Sequence, residues 1–298
     1  MSHSPDHAKG LLLTAIGGIT LTCDIPLVRL AEGDPWPVLM VRTGMTFLAA
    51  LTIWAVWRAI TPKAPALIPG KAGVVVAILY GLGSITFIMA VYSTSTASLV
   101  FILAFTTMFS ALLSWIFLKE RPRPATLLTM VVMVFGVLII VYDGLGTGTL
   151  FGDLVALTSA LVIAAAITVS RHSGRDMGFT ALIGVIFPFF IAAAMVASTG
   201  YRIDQPWWII LNGAVVMPIS FFCLATGPRY LSAPEVAMFY LLETIFAPIW
   251  VWLIFNEAPS RNALIGGTIL IVALVAHSLW QLANGRARKS AAAVRHSA

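Results

Sequence analysis

The sequence predicts an all-α integral membrane protein, with ten transmembrane helices arranged as two inverted five-helix repeats around a central cavity. Three observations carry that expectation. The 298 residues are 59% apolar and only 10% charged, with a mean hydropathy of +0.96; a soluble domain carries about 25% charge and 45–50% apolar residues. Breaks at Pro, Gly and charged residues cut the chain into ten apolar stretches, each near the ~20 residues needed to cross hydrocarbon. One motif occurs twice, as Trp115-Ile116-Phe117-Leu118-Lys119-Glu120-Arg121-Pro122 and as Trp252-Leu253-Ile254-Phe255-Asn256-Glu257-Ala258-Pro259, 137 positions later. Five spans separate the copies. Five is odd, so the copies end on opposite membrane faces, the ground plan of many secondary transporters.

Each span has its own delimiters. The first, roughly 9–30, opens at Lys9 and runs on to Leu30, too far for a cleavable leader. The second, 37–58, starts at Pro37 and stops at Arg58. The third, 71–92, follows Pro69; the fourth, 95–118, closes on the first motif copy. The fifth, 124–142, opens at Pro124. A turn at Gly144, Gly146 and Gly148 leads into the sixth, 150–171, which ends at Arg171. The seventh is 178–199, the eighth 206–227 after Pro206, the ninth 232–255 before the second motif copy, and the tenth 261–283. Proline is tolerated at such boundaries because the first helical amides need no partner. Residues 1–145 are thus expected to form the first repeat and 146–284 the second. Residues 285–298 form a basic tail expected to be disordered. Inside spans, Pro26, Pro188, Pro218 and Pro248 are expected to kink their helices. Gly17-Gly18 and Gly81-x-Gly83 are expected to loosen the first and third spans.

Charge orients the bundle. With the N-terminus cytoplasmic, loop Lys and Arg divide fourteen to three in favour of the inside, so both termini are expected to be cytoplasmic in a bacterial plasma membrane. The net charge of +6 sits in short hinges between apolar runs, which argues against nucleic acid as a partner. Cys23 and Cys223 lie within apolar runs without metal or redox spacing. There is no phosphate-binding Gly-x-x-x-x-Gly-Lys-Ser/Thr loop, no zinc-ligand His pair and no nucleophile elbow. Neither a cofactor nor a catalytic or metal site is expected.

The motif pair, the Ser/Thr-rich run Tyr92–Ser98 before the fourth span, and Arg229-Tyr230-Leu231-Ser232-Ala233-Pro234-Glu235 before the ninth together resemble the drug/metabolite transporter superfamily in its ten-helix, EamA-type form. The resemblance covers roughly residues 10–143 and 150–284. It implies a basket of helices around a cavity, with the fifth and tenth peripheral, and secondary export of small metabolites. More narrowly the chain resembles bacterial exporters of amino acids, including aromatic ones. The alternatives are a multidrug or cationic-compound exporter of the same fold and an intramembrane enzyme.

Ionisable groups within a span are costly and so point to function. Glu243 lies about 16 Å into the ninth span, on a stripe with Val236, Phe239, Tyr240, Phe246, Ala247 and Trp250. This reads as an aromatic wall carrying one carboxylate, able to attract an ammonium. Asp24 and Arg42 lie at matching depths in the first two spans and could pair, as an outer gate, as a site for the two charges of an amino acid or as a structural tie; otherwise Arg42 would snorkel to the outer interface. Tyr80 and Ser84 share a face of the third span with Phe87. Ser159 in the sixth span, Thr106 (the repeat position of Glu243) and Asn212 in the eighth add neutral hydrogen-bonding groups. The expected substrate-binding set is Glu243, Tyr240, Tyr80, Ser84, Thr106, Phe239, Phe246 and Ser159. The expected partners are a small-molecule solute and membrane lipid, with one chain able to enclose the cavity.

Overall fold

The computed structural model describes residues 5–61, 65–119, 124–231, 233–256, 258–273 and 275–276. Glu120 to Arg123 of the first motif, Ser232, Glu257, His277 and the basic tail lie outside the described residues. Those that are described form helices joined by short turns. The first half contains α1 (Pro5–Leu21), α2 (Asp24–Leu30), α3 (Pro35–Ile60), α4 (Gly70–Ser93), α5 (Thr96–Leu103), α6 (Thr106–Leu118) and α7 (Pro124–Thr147). The second contains α8 (Leu150–Ser173), α9 (Gly178–Ile183), α10 (Ile186–Thr199), α11 (Pro206–Leu211), a π-helical segment (Asn212–Val216), α12 (Met217–Thr226) and α13 (Ala233–Phe255). A final helix, α14, covers Arg261–Ala273. Pro35, Pro124 and Pro206 each open a helix, as their missing amides allow. Ser95 caps α5 by accepting from the Ser98 amide at 3.1 Å.

Among the described residues, eight helical stretches are long and apolar enough to cross a membrane; two shorter apolar helices, Leu127–Tyr142 and Arg261–Ala273, fall where the fifth and tenth spans are expected. Phe117, Phe135, Phe151, Trp207 and Leu253 are all more than half exposed, an apolar outer surface that suits lipid. Inside, one continuous core takes Ile25, Leu39, Ile88, Leu99, Ile140, Ala160, Ala247 and Leu270 from helices before and after the chain's midpoint.

Several spans are broken, and proline explains where. Proline at position i leaves the carbonyl of i−4 without its helical donor. Pro26 lies four residues after Thr22, where α1 gives way to α2. Pro188 lies four after Gly184, between α9 and α10, and Pro218 four after Ala214, inside the π-segment. Pro248 is the exception: α13 continues through it. The break between α5 and α6, at Ala104-Phe105, involves no proline. There the Thr244 hydroxyl donates to the Val100 carbonyl at 3.1 Å, and that oxygen also accepts from the Ala104 amide at 3.2 Å. The Val100 carbonyl thus keeps its helical donor, and the ladder changes just beyond it, where the Phe105 amide turns to Ile102 O at 3.0 Å and the Thr107 amide to Ala104 O at 3.2 Å.

Two glycine expectations change. Gly17 and Gly18 do not loosen α1. A Cβ at Gly17 would stand 2.8 Å from the Cys223 Cβ, and one at Gly18 2.7 Å from the Phe239 carbonyl, so this pair lets α1 lie directly on α12 and α13. Gly81 serves the same purpose, receiving the Phe187 ring and the Gly184 carbonyl.

At one end of the bundle, residues 31–34 and 200–205 form a clasp. The Asp34 amide donates to Arg202 O at 3.0 Å, that of Asp204 to Glu32 O at 3.2 Å, and that of Gln205 to Ala31 O at 2.9 Å, around a Gly33–Ile203 bridge. The α4–α5 junction reaches the start of α8 near this end, through a 2.6 Å bond from the Thr94 hydroxyl to the Asp153 carboxylate. Arg29, beside the clasp, lies 5.9 Å over the Phe255 ring at the C-terminus of α13. At the other end Arg175 donates to Pro69 O at 3.1 Å, Thr180 to Leu67 O at 2.9 Å, and Arg171 to Leu231 O at 3.1 Å. The two motif copies stop their helices alike: Lys119 after α6 and Asn256 after α13 are both left-handed, at φ 57° and 53°.

Candidate functional site

The helix breaks set the site. The break at Thr22-Cys23 places Asp24 in the first turn of α2, buried at 1% exposure. Arg42 projects from α3 about two turns after its start and is equally buried. Their carboxylate and guanidinium meet at 2.7 Å, the pairing that their matching depths allow. A third member joins them. Asn212 opens the π-segment; its Nδ2 donates to Asp24 Oδ1 at 2.7 Å and its Oδ1 accepts from Arg42 Nε at 3.1 Å. Only this amide orientation satisfies both neighbours. Arg42 Nη2 also contacts Met217 Sδ at 2.8 Å, and the guanidinium lies 5.3 Å over the Phe87 ring. Gly213 completes the fit, because a Cβ there would press on the Arg42 carbonyl at 2.5 Å. The result is a closed ring of acid, base and amide joining α2, α3 and the π-segment.

Glu243 sits on α13 at 5% exposure, within electrostatic reach of both Asp24 and Arg42. Its Oε1 has no hydrogen-bond partner among the described residues. One turn earlier, Tyr240 is buried, and its hydroxyl approaches that of Tyr80 on α4 without reaching hydrogen-bonding geometry. The Tyr80 ring rests against Phe221 of α12 at 5.4 Å. Ser84, one turn beyond Tyr80, is buried with an unpartnered hydroxyl. Buried polar atoms usually find partners, so such a group marks where a polar ligand or water would be held. The arrangement can offer an anionic oxygen, two phenolic hydroxyls and aromatic faces to a solute.

The other expected residues lie on further helices or on the rest of α13. Thr106 and Ser159 are buried on α6 and α8, which pack against each other. Phe239 is half-buried, its backbone against Gly18. Phe246 and Trp250 are 41% and 38% exposed, so they face outward and the expected aromatic wall is narrower than drawn. Val236, Tyr240, Glu243 and Ala247, spaced four, three and four, are the buried seam of α13. A groove of about 540 Å³ between α7 and α14, lined by Leu128, Val132, Ile269 and Val272 among others, is mostly apolar, and the hydroxyls of its Thr129 and Thr268 donate to carbonyls of their own helices.

The EamA-like transporter family matches residues 8–142 and 150–279. The chain belongs to that family. As an EamA-like transporter it falls within the drug/metabolite transporter superfamily, and it is similar to known exporters. The pseudopaline exporter CntI of Pseudomonas aeruginosa, in strains UCBPP-PA14 and PAO1, is 28% identical over 178 residues, or 57% of this chain. The match spans 61% of that relative's length. A crystal structure superposes at a TM-score of 0.68 with 16% identity, covering 92% of this chain and 98% of the other, which supports the fold alone.

Proposed function

We propose that this EamA-like transporter is a secondary active exporter of small metabolites, most directly neutral or aromatic amino acids, working by alternating access. One observation carries the reading: a buried, unpartnered carboxylate oxygen on Glu243, beside Tyr80 and Tyr240 at the middle of an apolar bundle. The similarity to an exporter supports the direction. In this reading α7 and α14 supply the fifth and tenth spans, the two halves are inverted repeats, and both termini face the cytoplasm. The like ends at Lys119 and Asn256 favour the repeat. So does the placement of Phe255 near the clasp, while α6 runs away from the end at which α5 begins. Helices then bend at the proline-set breaks to open one side at a time.

Two experiments test this. Proteoliposomes holding the full chain should show saturable counterflow of a radiolabelled aromatic amino acid against internal unlabelled solute. Flux that neither saturates nor exchanges rejects a carrier. Reporter tags fused after Leu118 and after Phe255 should sit in different compartments; tags in one compartment reject the inverted repeat.

A further inference from the structure

We infer that Thr107 is a latch held in reserve. In the state open to the other side its hydroxyl donates to the Ala237 carbonyl, α13 breaks between Leu241 and Thr244, and α5 and α6 run on as one helix. This rests on the carrier reading above and deepens it, by naming the bond that each state keeps.

The register of two spans points to it. The span formed by α5 and α6 leaves the clasp end, α13 arrives there, and both α5 and α6 pack on α13. The two spans are therefore antiparallel, and the bond from the Thr244 hydroxyl to the Val100 carbonyl, 3.1 Å long, fixes their alignment. Seven residues onward from Val100, two turns and about 10 Å, is Thr107. Seven back from Thr244 is Ala237. In two unbroken helices Thr107 thus faces Ala237 as Thr244 faces Val100. The 137-residue offset of the motif copies sets the same two pairs in correspondence.

One bond of the two is made. Thr107 is buried, and its hydroxyl has no partner among the described residues. The buried threonines Thr14, Thr43, Thr46 and Thr168 each return their hydroxyl to the carbonyl four residues back; Thr107 does not. A buried donor left without an acceptor costs free energy, so an arrangement that supplies the acceptor is favoured to that extent.

The backbone agrees. α5 gives way to α6 at Ala104-Phe105, whereas the corresponding Leu241-Leu242 lies within unbroken α13. Pro248 withholds the donor of the Thr244 carbonyl. At Pro26, Pro188 and Pro218 the helix changes at or beside the carbonyl so deprived, but α13 runs on. The missing break and the missing bond therefore fall on one stretch of one helix. Inverted halves reach the opposite-facing state by exchanging their arrangements, which gives α13 the break and Thr107 the bond.

The test is amide hydrogen exchange, read by mass spectrometry, on the full chain in nanodiscs. The amides of Leu241 to Ile245 report opening of α13 even when the opened state is rare. Thr107→Val removes a bond from the second state alone. It should slow exchange at these amides at least about threefold and leave the thermal midpoint unchanged. Thr244→Val removes the bond of the present state and should speed exchange by a similar factor, and the double variant should return to the rate of the unsubstituted chain. Exchange that Thr107→Val leaves unchanged, or speeds, overturns the inference. Counterflow of radiolabelled phenylalanine in proteoliposomes reads the carrier separately. Its absence in the unsubstituted chain rejects the proposed carrier, while the amide rates still decide the latch. Where counterflow is present, Thr107→Val should slow turnover by a similar factor; an unchanged turnover counts against the latch and leaves the carrier reading standing.

Discussion

The two ends of this bundle are held by unlike means. Toward the clasp, three backbone hydrogen bonds tie residues 31–34 to 200–205, and a buried ring of Asp24, Arg42 and Asn212 locks the helices. At the opposite end a charged contact joins Arg229 to Asp176, 3.6 Å apart, with the arginine side chain half exposed, and an exposed bond runs from Arg175 to Pro69. Water can replace these contacts cheaply, whereas no water competes for the buried ring. In the proposed alternating-access cycle, α2, α3 and the π-segment would form a fixed body and the opposite end would be the easier one to open.

The largest expected effect comes from breaking the ring. Arg42→Ala leaves Asp24 buried and unpaired and should cost about 3–5 kcal/mol, read as a large drop in thermal midpoint and loss of transport. Removing both charges with Asp24→Leu/Arg42→Met should recover part of the stability; a double variant no better than the single would mean that the pair is not what holds these helices. Next comes Thr244→Val, which removes the donor at the α5–α6 break and should cost about 1 kcal/mol. Its repeat counterpart Thr107 is buried with no partner among the described residues, so Thr107→Val should be nearly neutral; equal losses would show that both threonines bond alike. The smallest effect belongs to Arg229→Ala, below about 1 kcal/mol at an exposed pair. A loss there matching that of Arg42→Ala would erase the contrast between the ends.

Some of this arrangement was readable from the chain. Proline and charge spacing placed the helix boundaries, because a proline opens a helix at little cost. The Asp24–Arg42 pair was one reading of depth in two consecutive spans. Asn212 as the third member did not follow: it lies 170 residues from Arg42, and periodicity on one helix says nothing of a distant one. The outward turn of Phe246 was missed for a related reason. A stripe every three or four residues spans more than a right angle, and only the neighbouring helices decide which edge is covered. The prolines marked weak points, but the breaks appear one turn earlier, at the carbonyls left without donors. The α5–α6 break, which involves no proline, left no local trace.

The π-segment has a consequence of its own. A π-turn carries one residue more than the α-turn it replaces, so it offsets the azimuth of α11 relative to α12 by about 100°. Deleting a single residue between Asn212 and Val216 would hardly alter the hydropathy profile, and an alignment would show only a trivial gap. The amide facing Asp24 would nonetheless swing out of reach. Among related sequences, a one-letter indel at this point would therefore mark a change of interior chemistry that no substitution count reveals.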